Sequence, residues 1–283
     1  MGKTGLVLEG GGMRGAYTAG VLVWLIQHGI TFDYGVGISA GAMNLCSYAM
    51  KNIDYLYDIS VKYMPSKKNV GLTPLLKEHH YVGYDFMFDD LLYKQIRYNL
   101  EPLRQSNMDI EIGLFNLNAS KMEWVGKQDL DDELKMLKGA CTLPIAGVPV
   151  PYKGGLYLDG GVTTMVPIKR SIAYGCDKHL VIVTKDESYV RKPSSNLLLT
   201  MTNLNYHNEA LNDALKVRSE VYYEEMGLVE DLQKKGQALL IRPSKNLGVK
   251  RFSGDAETLK QLYELGIQDA ESRKEELLAF LGK

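Results

Sequence analysis

The sequence has few cysteines and little net charge, and each absence excludes a class of protein. It has 3 cysteines in 283 residues. Because Cys46, Cys141 and Cys176 are far apart and lack metal-ligand spacing, we predict neither a disulfide framework nor a metal site. The formal net charge is −1, and no long basic block argues for nucleic acid as a partner. No polybasic cluster favours a membrane-surface role, although transient membrane contact stays open.

Long hydrophobic runs are also missing. Residues 16–30 contain no acidic or basic side chain apart from His28, but this stretch is too short to cross a bilayer and is typical of a buried helix. The N-terminus has no pattern of a secretory signal. Together with cysteines typical of a reducing compartment, this predicts a cytoplasmic location.

Short apolar runs alternate with helical patterns, which predicts a three-layer α/β/α fold with a mainly parallel sheet. Strands are expected at residues 5–9, 36–38, 179–184 and 238–242, with a hairpin at 109–117 and 121–125. Helices are expected at residues 16–26, 42–50, 130–138 and 203–235, the last broken near Gly227. We predict a catalytic domain over residues 1–190 and a mostly helical extension over 191–283 packed on it, or one continuous domain.

Gly10, Gly12 and Gly15 form G-x-G-x-x-G between a predicted strand and a predicted helix. This is the fingerprint of a dinucleotide-binding loop. Asp33 falls near the spacing of the ribose-binding acid, but it precedes the second strand instead of ending it. A Rossmann-type nucleotide-binding protein is therefore kept as an alternative.

Residues 37–41 (GISAG) match G-x-S-x-G, in which a serine sits on a sharp turn between a strand and a helix. An apolar run precedes the motif and an uncharged run follows it, so Ser39 is predicted to be a nucleophile at a helix N-terminus. Such a nucleophile needs a base and an oxyanion hole. The upstream glycine loop can supply the hole, because successive N–H groups without Cβ atoms can converge on one oxygen.

No histidine is well placed as the base. His79 and His80 lie within residues 65–90, which have no clean period and are predicted to be a cover or insertion. Asp159 ends a short apolar strand and is followed by two glycines. We therefore expect its carboxylate at the carboxyl edge of the sheet, where ligands bind in open α/β folds. An ordinary Asp-Gly turn is the alternative.

Three motifs in this order resemble the patatin-like phospholipases: residues 10–15 (GGGMRG), residues 37–41 (GISAG) and residues 159–161 (DGG). Residues 140–150, which contain two prolines, are similar to the block that precedes the last motif in that family. The resemblance covers about residues 5–185.

The resemblance implies a Ser–Asp dyad without histidine, with Ser39 as nucleophile and Asp159 as general base. It assigns the oxyanion hole to the glycine loop, Gly10, Gly11, Gly12, Met13 and Arg14. One departure is Glu9, where the family often has Asp, Ser or Gly, and we expect it to affect loop packing. The candidate acyl pocket lies in the aromatic segment 55–64 and in the apolar loop that contains Thr142, Leu143, Pro144 and Val148.

The sequence therefore predicts a serine acyl hydrolase that cleaves carboxylic esters of lipid-like substrates. The expected partner is a lipid or a small acyl ester, and neither a metal nor an organic cofactor is expected. A non-catalytic lipid-binding protein on the same fold is a further alternative. The sequence does not indicate an oligomeric state.

Overall fold

The computed structural model describes residues 2–283 and contains an eight-stranded mixed sheet with helices on both faces. The strands are β1 Lys3–Leu8, β2 Tyr34–Ile38, β3 Asp109–Asn116, β4 Lys121–Gly126, β5 Val150–Tyr152, β6 Gly155–Asp159, β7 Cys176–Ile182 and β8 Ala238–Ile241. Their order is β5-β6-β3-β2-β1-β7-β8, and β4 pairs with β3 outside this path. Strands β3, β2, β1, β7 and β8 are parallel. The predicted three-layer fold with a mainly parallel sheet is confirmed.

The helices are α1 Gly15–Gln27, α2 Ala40–Ala49, α3 Ile53–Tyr57, α4 Leu72–Lys77, α5 Glu101–Arg104, α6 Lys135–Cys141, α7 Ile168–Ala173, α8 Asn196–Tyr206, α9 Glu209–Lys234, α10 Ala256–Ser272 and α11 Lys274–Leu281. Two π-helical segments cover Asp58–Lys62 and Asp85–Ile96. Within residues 2–283, no helix has both the length and the apolarity needed to cross a membrane.

The sheet separates two apolar cores, because successive side chains of a strand point to opposite faces. In β1, Leu6 and Leu8 belong to the larger core with α1, α2 and α10. Val7 belongs to the second core with α7 and α9. Because α1 packs between the sheet and α10, its side chains are buried almost all round, which explains its lack of charge.

Two predicted helices have different bounds in the structure. Helix α9 continues through Gly227 without a break. The predicted helix is interrupted at His207 instead, because the Asn208 side chain accepts a hydrogen bond from the Leu211 amide and so caps the start of α9. Helix α6 begins at Lys135 instead of Leu130, since the Asp131 carboxylate accepts from the first amides of α6. Strand β8 pairs with β7, so the C-terminal part of the chain completes the sheet. The domain boundary at residue 190 stays a prediction.

Candidate active site

Ser39 lies on a strained turn between β2 and α2. Its backbone has φ 55° and ψ −125°, a conformation that residues with a side chain rarely adopt and that is common at functional sites. The flanking glycines make this turn possible: a Cβ at Gly37 would lie 2.6 Å from the Gly41 carbonyl oxygen, and a Cβ at Gly41 would lie 2.7 Å from the Leu8 carbonyl oxygen. The turn presents a half-buried hydroxyl at the N-terminus of α2.

We expect Gly41→Ala to lower the free energy of unfolding by about 1–3 kcal/mol, because the added Cβ forces two backbones apart. Gly227→Ala is the matched control: nothing lies within 4 Å of a Cβ added there, in the middle of α9. It should raise the free energy of unfolding by about 0.5–1 kcal/mol, through helix propensity. Urea unfolding of both variants measures the two changes. Equal stability of Gly41→Ala and wild type would contradict the close approach of the turn to β1.

Asp159 reaches Ser39 through an antiparallel strand. Strand β4 covers one side of β3, so β2 and β6 share the other side: β2 pairs with residues 109–113 and β6 with residues 114–116. Within these pairings Ile38 lies opposite Gly113 and Asp159 lies opposite Leu114. The C-terminal ends of β2 and β6 therefore meet head to head. Asp159 was expected at the carboxyl edge of the sheet. It lies beside the C-terminal end of β2 because β6 is antiparallel to β3.

The Asp159 carboxylate is held in a buried position. The residue is 1% exposed, its Oδ1 accepts from the Gly161 amide at 2.7 Å, and its own amide donates to the Thr142 carbonyl at 2.8 Å. Burial raises the pKa of Asp159, while the Ser39 hydroxyl, the Gly161 amide and the positive charge of Arg218 oppose that rise. This carboxyl group therefore gives up its proton less readily than an exposed aspartate.

The glycine loop lies beside Ser39. Among the described residues 2–283, the amides of Gly11 and Gly12 donate no hydrogen bond, and both glycines line the same cavity as Ser39. Gly12 has φ 57°, which favours glycine, and a Cβ there would lie 2.4 Å from the Arg251 carbonyl oxygen. The Ala40 amide at the start of α2 also has no helical acceptor. These amides are free to bind an oxyanion beside Ser39.

Met13 and Arg14 do not offer their amides to the cavity, in contrast to their predicted place in the oxyanion hole. The Met13 amide donates to the Arg251 carbonyl at 3.0 Å, and the Arg14 amide donates to the Gly11 carbonyl at 3.3 Å. Both belong to the short 3₁₀ turn that starts at Gly12, so their amides are occupied by the turn and by a neighbouring loop. The sequence did not indicate the Ala40 amide as a further candidate donor beside Ser39.

Glu9 anchors the glycine loop to the end of β7. Its carboxylate forms a buried ion pair with Lys185 and accepts from the amide and the hydroxyl of Thr184 at 2.7 and 2.9 Å. These contacts outweigh burial, so the pKa of Glu9 lies below its ordinary value, whereas burial lowers the pKa of Lys185 to about 8. The position is structural, as expected from the sequence, and it fixes where the loop begins.

Glu9→Gln should destabilise the fold by about 3–5 kcal/mol, because it leaves the buried ammonium group of Lys185 without its counterion. Urea unfolding at neutral pH measures the loss. The double variant Glu9→Gln/Lys185→Met should recover most of it, since no unpaired charge then remains. A double variant no more stable than Glu9→Gln would contradict this account of the pair.

Ser39 and Asp159 line one cavity. Its apolar wall includes Met43, Ile59, Met64, Val70, Val82, Tyr84, Met87, Leu143 and Phe252. Two of these, Ile59 and Met64, come from the predicted segment 55–64. Four come from residues 65–90, so the predicted cover forms a wall of the cavity. The wall of the cavity is therefore mainly apolar.

Of the four predicted pocket residues in the apolar loop, Leu143 alone lines this cavity. Thr142 is fully buried beneath it, where its hydroxyl donates to the Lys138 carbonyl at 2.7 Å and its carbonyl holds the Asp159 amide. Pro144 lines a neighbouring cavity, and Val148 is 60% exposed. The loop therefore positions Asp159 as much as it lines the pocket.

Several cavity residues were not indicated by the sequence. Ser60 donates to Asn44 at 3.1 Å, and Asn44 donates to the Gly15 carbonyl at 2.9 Å, which ties the π-helical segment to α1 and α2. Lys185, Arg191, Arg218 and Arg251 bring positive charge to the cavity. None of these residues belongs to a recognisable local motif.

Asp33 lies at the opposite edge of the sheet from the glycine loop. Its carboxylate accepts from the amide and the hydroxyl of Thr4 at 2.7 and 2.9 Å, beside the first residues of β1 and β2. A ribose-binding acid would instead lie at the end of β2 that bears Ser39. The geometry therefore gives no support to the dinucleotide alternative.

Two family models match parts of the chain. Residues 6–69 match "Patatin-like phospholipase", and residues 208–282 match "Domain of unknown function (DUF6363)". The first match contains the glycine loop and the turn at Ser39. The predicted resemblance to the patatin-like phospholipases is confirmed.

Several curated relatives match between 60% and 65% of the chain. The "Uncharacterized protein YjjU" of Escherichia coli is 26% identical over 195 residues, 65% of this chain and 52% of that protein. "Lysophospholipase NTE1" of Meyerozyma guilliermondii is 26% identical over 196 residues, 63% of this chain and 12% of that protein. "Probable lipid hydrolase 463L" of Invertebrate iridescent virus 6 is 24% identical over 183 residues, 60% of this chain and 63% of that protein.

The matched region thus spans about half of YjjU and about an eighth of NTE1. Among solved structures, VipD from Legionella pneumophila superposes with a TM-score of 0.46 at 13% identity, over 100% of this chain and 67% of that one.

Proposed function

We propose, from its resemblance to the patatin-like phospholipases, that this chain is a serine acyl hydrolase of lipid-like carboxylic esters. In this proposal Ser39 is the nucleophile and Asp159 is the general base. The observation that carries it is the head-to-head meeting of β2 and β6, which brings a strained serine and a buried carboxylate into one cavity. An apolar wall on the same cavity supports a substrate with an acyl chain.

The first half of the reaction would form an acyl-enzyme. The Ser39 hydroxyl oxygen attacks the ester carbonyl carbon while its proton passes to the Asp159 carboxylate. The tetrahedral oxyanion then collapses, the bond to the alcohol oxygen breaks, and the alcohol leaves with the proton from Asp159. In the second half, water attacks the acyl carbonyl carbon and gives a proton to Asp159. The second tetrahedral intermediate collapses, the bond to the Ser39 oxygen breaks, and Asp159 returns the proton to that oxygen as the free acid leaves.

The glycine loop and the first turn of α2 would stabilise the oxyanion. Asp159 is a weak base towards an alcohol, so much of the barrier lowering must come from the free amides of Gly11, Gly12 and Ala40. The dipole at the N-terminus of α2 favours the same negative charge. Removing one such donor typically lowers the rate by about 100- to 1,000-fold.

Hydrolysis of a series of acyl esters by the full chain tests the proposal. We expect turnover of esters with medium or long acyl chains and little turnover of acetyl esters, because the cavity wall is apolar. Absence of hydrolysis throughout the series, with fatty acid or lysophospholipid still binding, would favour a non-catalytic lipid-binding protein. Stabilisation against heat by NAD or NADP would favour the nucleotide alternative.

A further inference from the structure

The cavity carries an excess of positive charge. Its charged lining consists of Asp159 and four cationic side chains, Lys185, Arg191, Arg218 and Arg251. An enzyme acting on uncharged esters needs none of these cations for the chemistry proposed above. All four come from the chain after β7, outside residues 6–69, which match the family model.

Three of these cations are not held in an ion pair within the described residues. Lys185 is neutralised by Glu9. Among the described residues 2–283, Arg191, Arg218 and Arg251 form no ion pair with a carboxylate. The arginines that do form such pairs lie elsewhere in the chain and are Arg104, Arg170 and Arg273.

Arg218 and Arg251 flank the reacting groups. The Nε of Arg218 donates to the Gly161 carbonyl. A Cβ at Gly161 would lie 3.6 Å from its Nη2 and 2.9 Å from Oδ1 of Asp159, so this guanidinium lies beside the proposed base. The Arg251 carbonyl accepts from the Met13 amide, which places Arg251 beside the glycine loop.

The three arginines line one cavity, and the positive charges of Arg251 and Arg191 act on Arg218 there. Arg191 packs over the Tyr222 ring, with 5.1 Å between its Cζ and the ring centroid. Burial, followed by repulsion from Arg251 and Arg191, lowers the pKa of Arg218 to about 9. Like charges held together in one cavity are unfavourable, and a bound anion relieves that repulsion.

We propose that Arg191, Arg218 and Arg251 form a subsite for a phosphate group of the substrate, so that the preferred ester is anionic and carries no compensating cation. This inference rests on the proposed function of Ser39. Guanidinium groups match phosphate oxygens with paired hydrogen bonds. A choline head group would add a further cation beside the three arginines, and a neutral alcohol would leave them unpaired.

Three substrates that share one acyl chain test the subsite: lysophosphatidic acid, lysophosphatidylcholine and monoacylglycerol. We expect kcat/KM to be highest for lysophosphatidic acid, by about tenfold or more over each of the others, which is the size of a charged hydrogen bond. The advantage should shrink as salt concentration rises, because ions screen the arginines.

Arg191→Gln should lower kcat/KM for lysophosphatidic acid by about 10- to 100-fold and change the rate on monoacylglycerol little. Because the charges of Arg218 and Arg251 also act on Asp159, Arg218→Gln and Arg251→Gln should lower the rates on both esters, and the rate on lysophosphatidic acid by about 10-fold or more beyond the loss on monoacylglycerol. Lys216→Gln, an exposed position on the same helix as Arg218, is the matched control and should change neither rate. Thermal melting identifies a variant that fails to fold, and Arg251→Gln does not remove the Arg218 contact with Gly161.

Fluorophosphonate labelling of Ser39 separates the two proposals. If Ser39 does not label, the proposed function fails. If Ser39 labels but kcat/KM is equal for the three esters, only the phosphate subsite is overturned. If inorganic phosphate slows labelling in wild type but not in Arg218→Gln, and the three esters still react equally, the subsite binds free phosphate and has no role in substrate selection.

Discussion

Ser39→Ala is expected to lower ester hydrolysis by at least about 10⁴-fold and to leave the fold intact. The substitution removes the attacking oxygen while the free amides of the glycine loop stay in place. Alanine has the same backbone strain at φ 55° as serine, so the free energy of unfolding should change by no more than about 0.5 kcal/mol. Steady-state kinetics and urea unfolding of the same preparation measure both quantities.

Ser60→Ala is the matched control, because Ser60 is the other serine that lines the cavity. Its hydroxyl donates to Asn44, so its loss should leave turnover within about tenfold of wild type. Loss of turnover in Ser60→Ala, together with full turnover in Ser39→Ala, would show that Ser39 is not the nucleophile.

Asp159→Asn should lower turnover by about 10⁴-fold, because an amide cannot accept the serine proton. The same substitution should raise the free energy of unfolding at neutral pH. A carboxyl group whose pKa is raised by folding destabilises the fold as pH rises through that pKa, and the raised pKa of Asp159 places it in this class. Asparagine removes that cost and can still accept from the Gly161 amide.

Urea unfolding at about pH 4 and about pH 7 tests the sign of this effect. The stability of Asp159→Asn relative to wild type should increase between the two pH values. Turnover by wild type should fall on acidification through a pKa above the ordinary aspartate value of about 3.9. Asp213→Asn, an exposed carboxyl on α9, should change neither turnover nor stability. If Asp159→Asn were less stable than wild type at neutral pH, this would contradict the claim that the buried carboxylate destabilises the fold.

The turn at Ser39 could be predicted from sequence because its determinants are local. Two glycines, an apolar strand and an uncharged helix lie within a few residues of the serine, and the structure shows why each glycine is needed. The glycine loop was predicted less completely. Whether an amide is free depends on what the loop packs against. The Arg251 carbonyl, which accepts a hydrogen bond from the Met13 amide, comes from a distant part of the chain.

The route by which Asp159 reaches Ser39 could not be predicted, because it depends on pairing between distant strands. The residues of β6 do not by themselves indicate that this strand is antiparallel to β3 and lies in line with β2. The arginines of the cavity escaped prediction for the same reason: Arg218 lies on an ordinary amphipathic helix, and only the packing of α9 brings it beside Gly161.

The most direct test of the Ser39–Asp159 site is mass spectrometry of the full chain after reaction with a fluorophosphonate. The account predicts one adduct, on the peptide that contains Ser39, formed in wild type and Ser60→Ala, absent in Ser39→Ala and strongly slowed in Asp159→Asn. An adduct on another residue, or labelling that continues in Ser39→Ala at the wild-type rate, would contradict it.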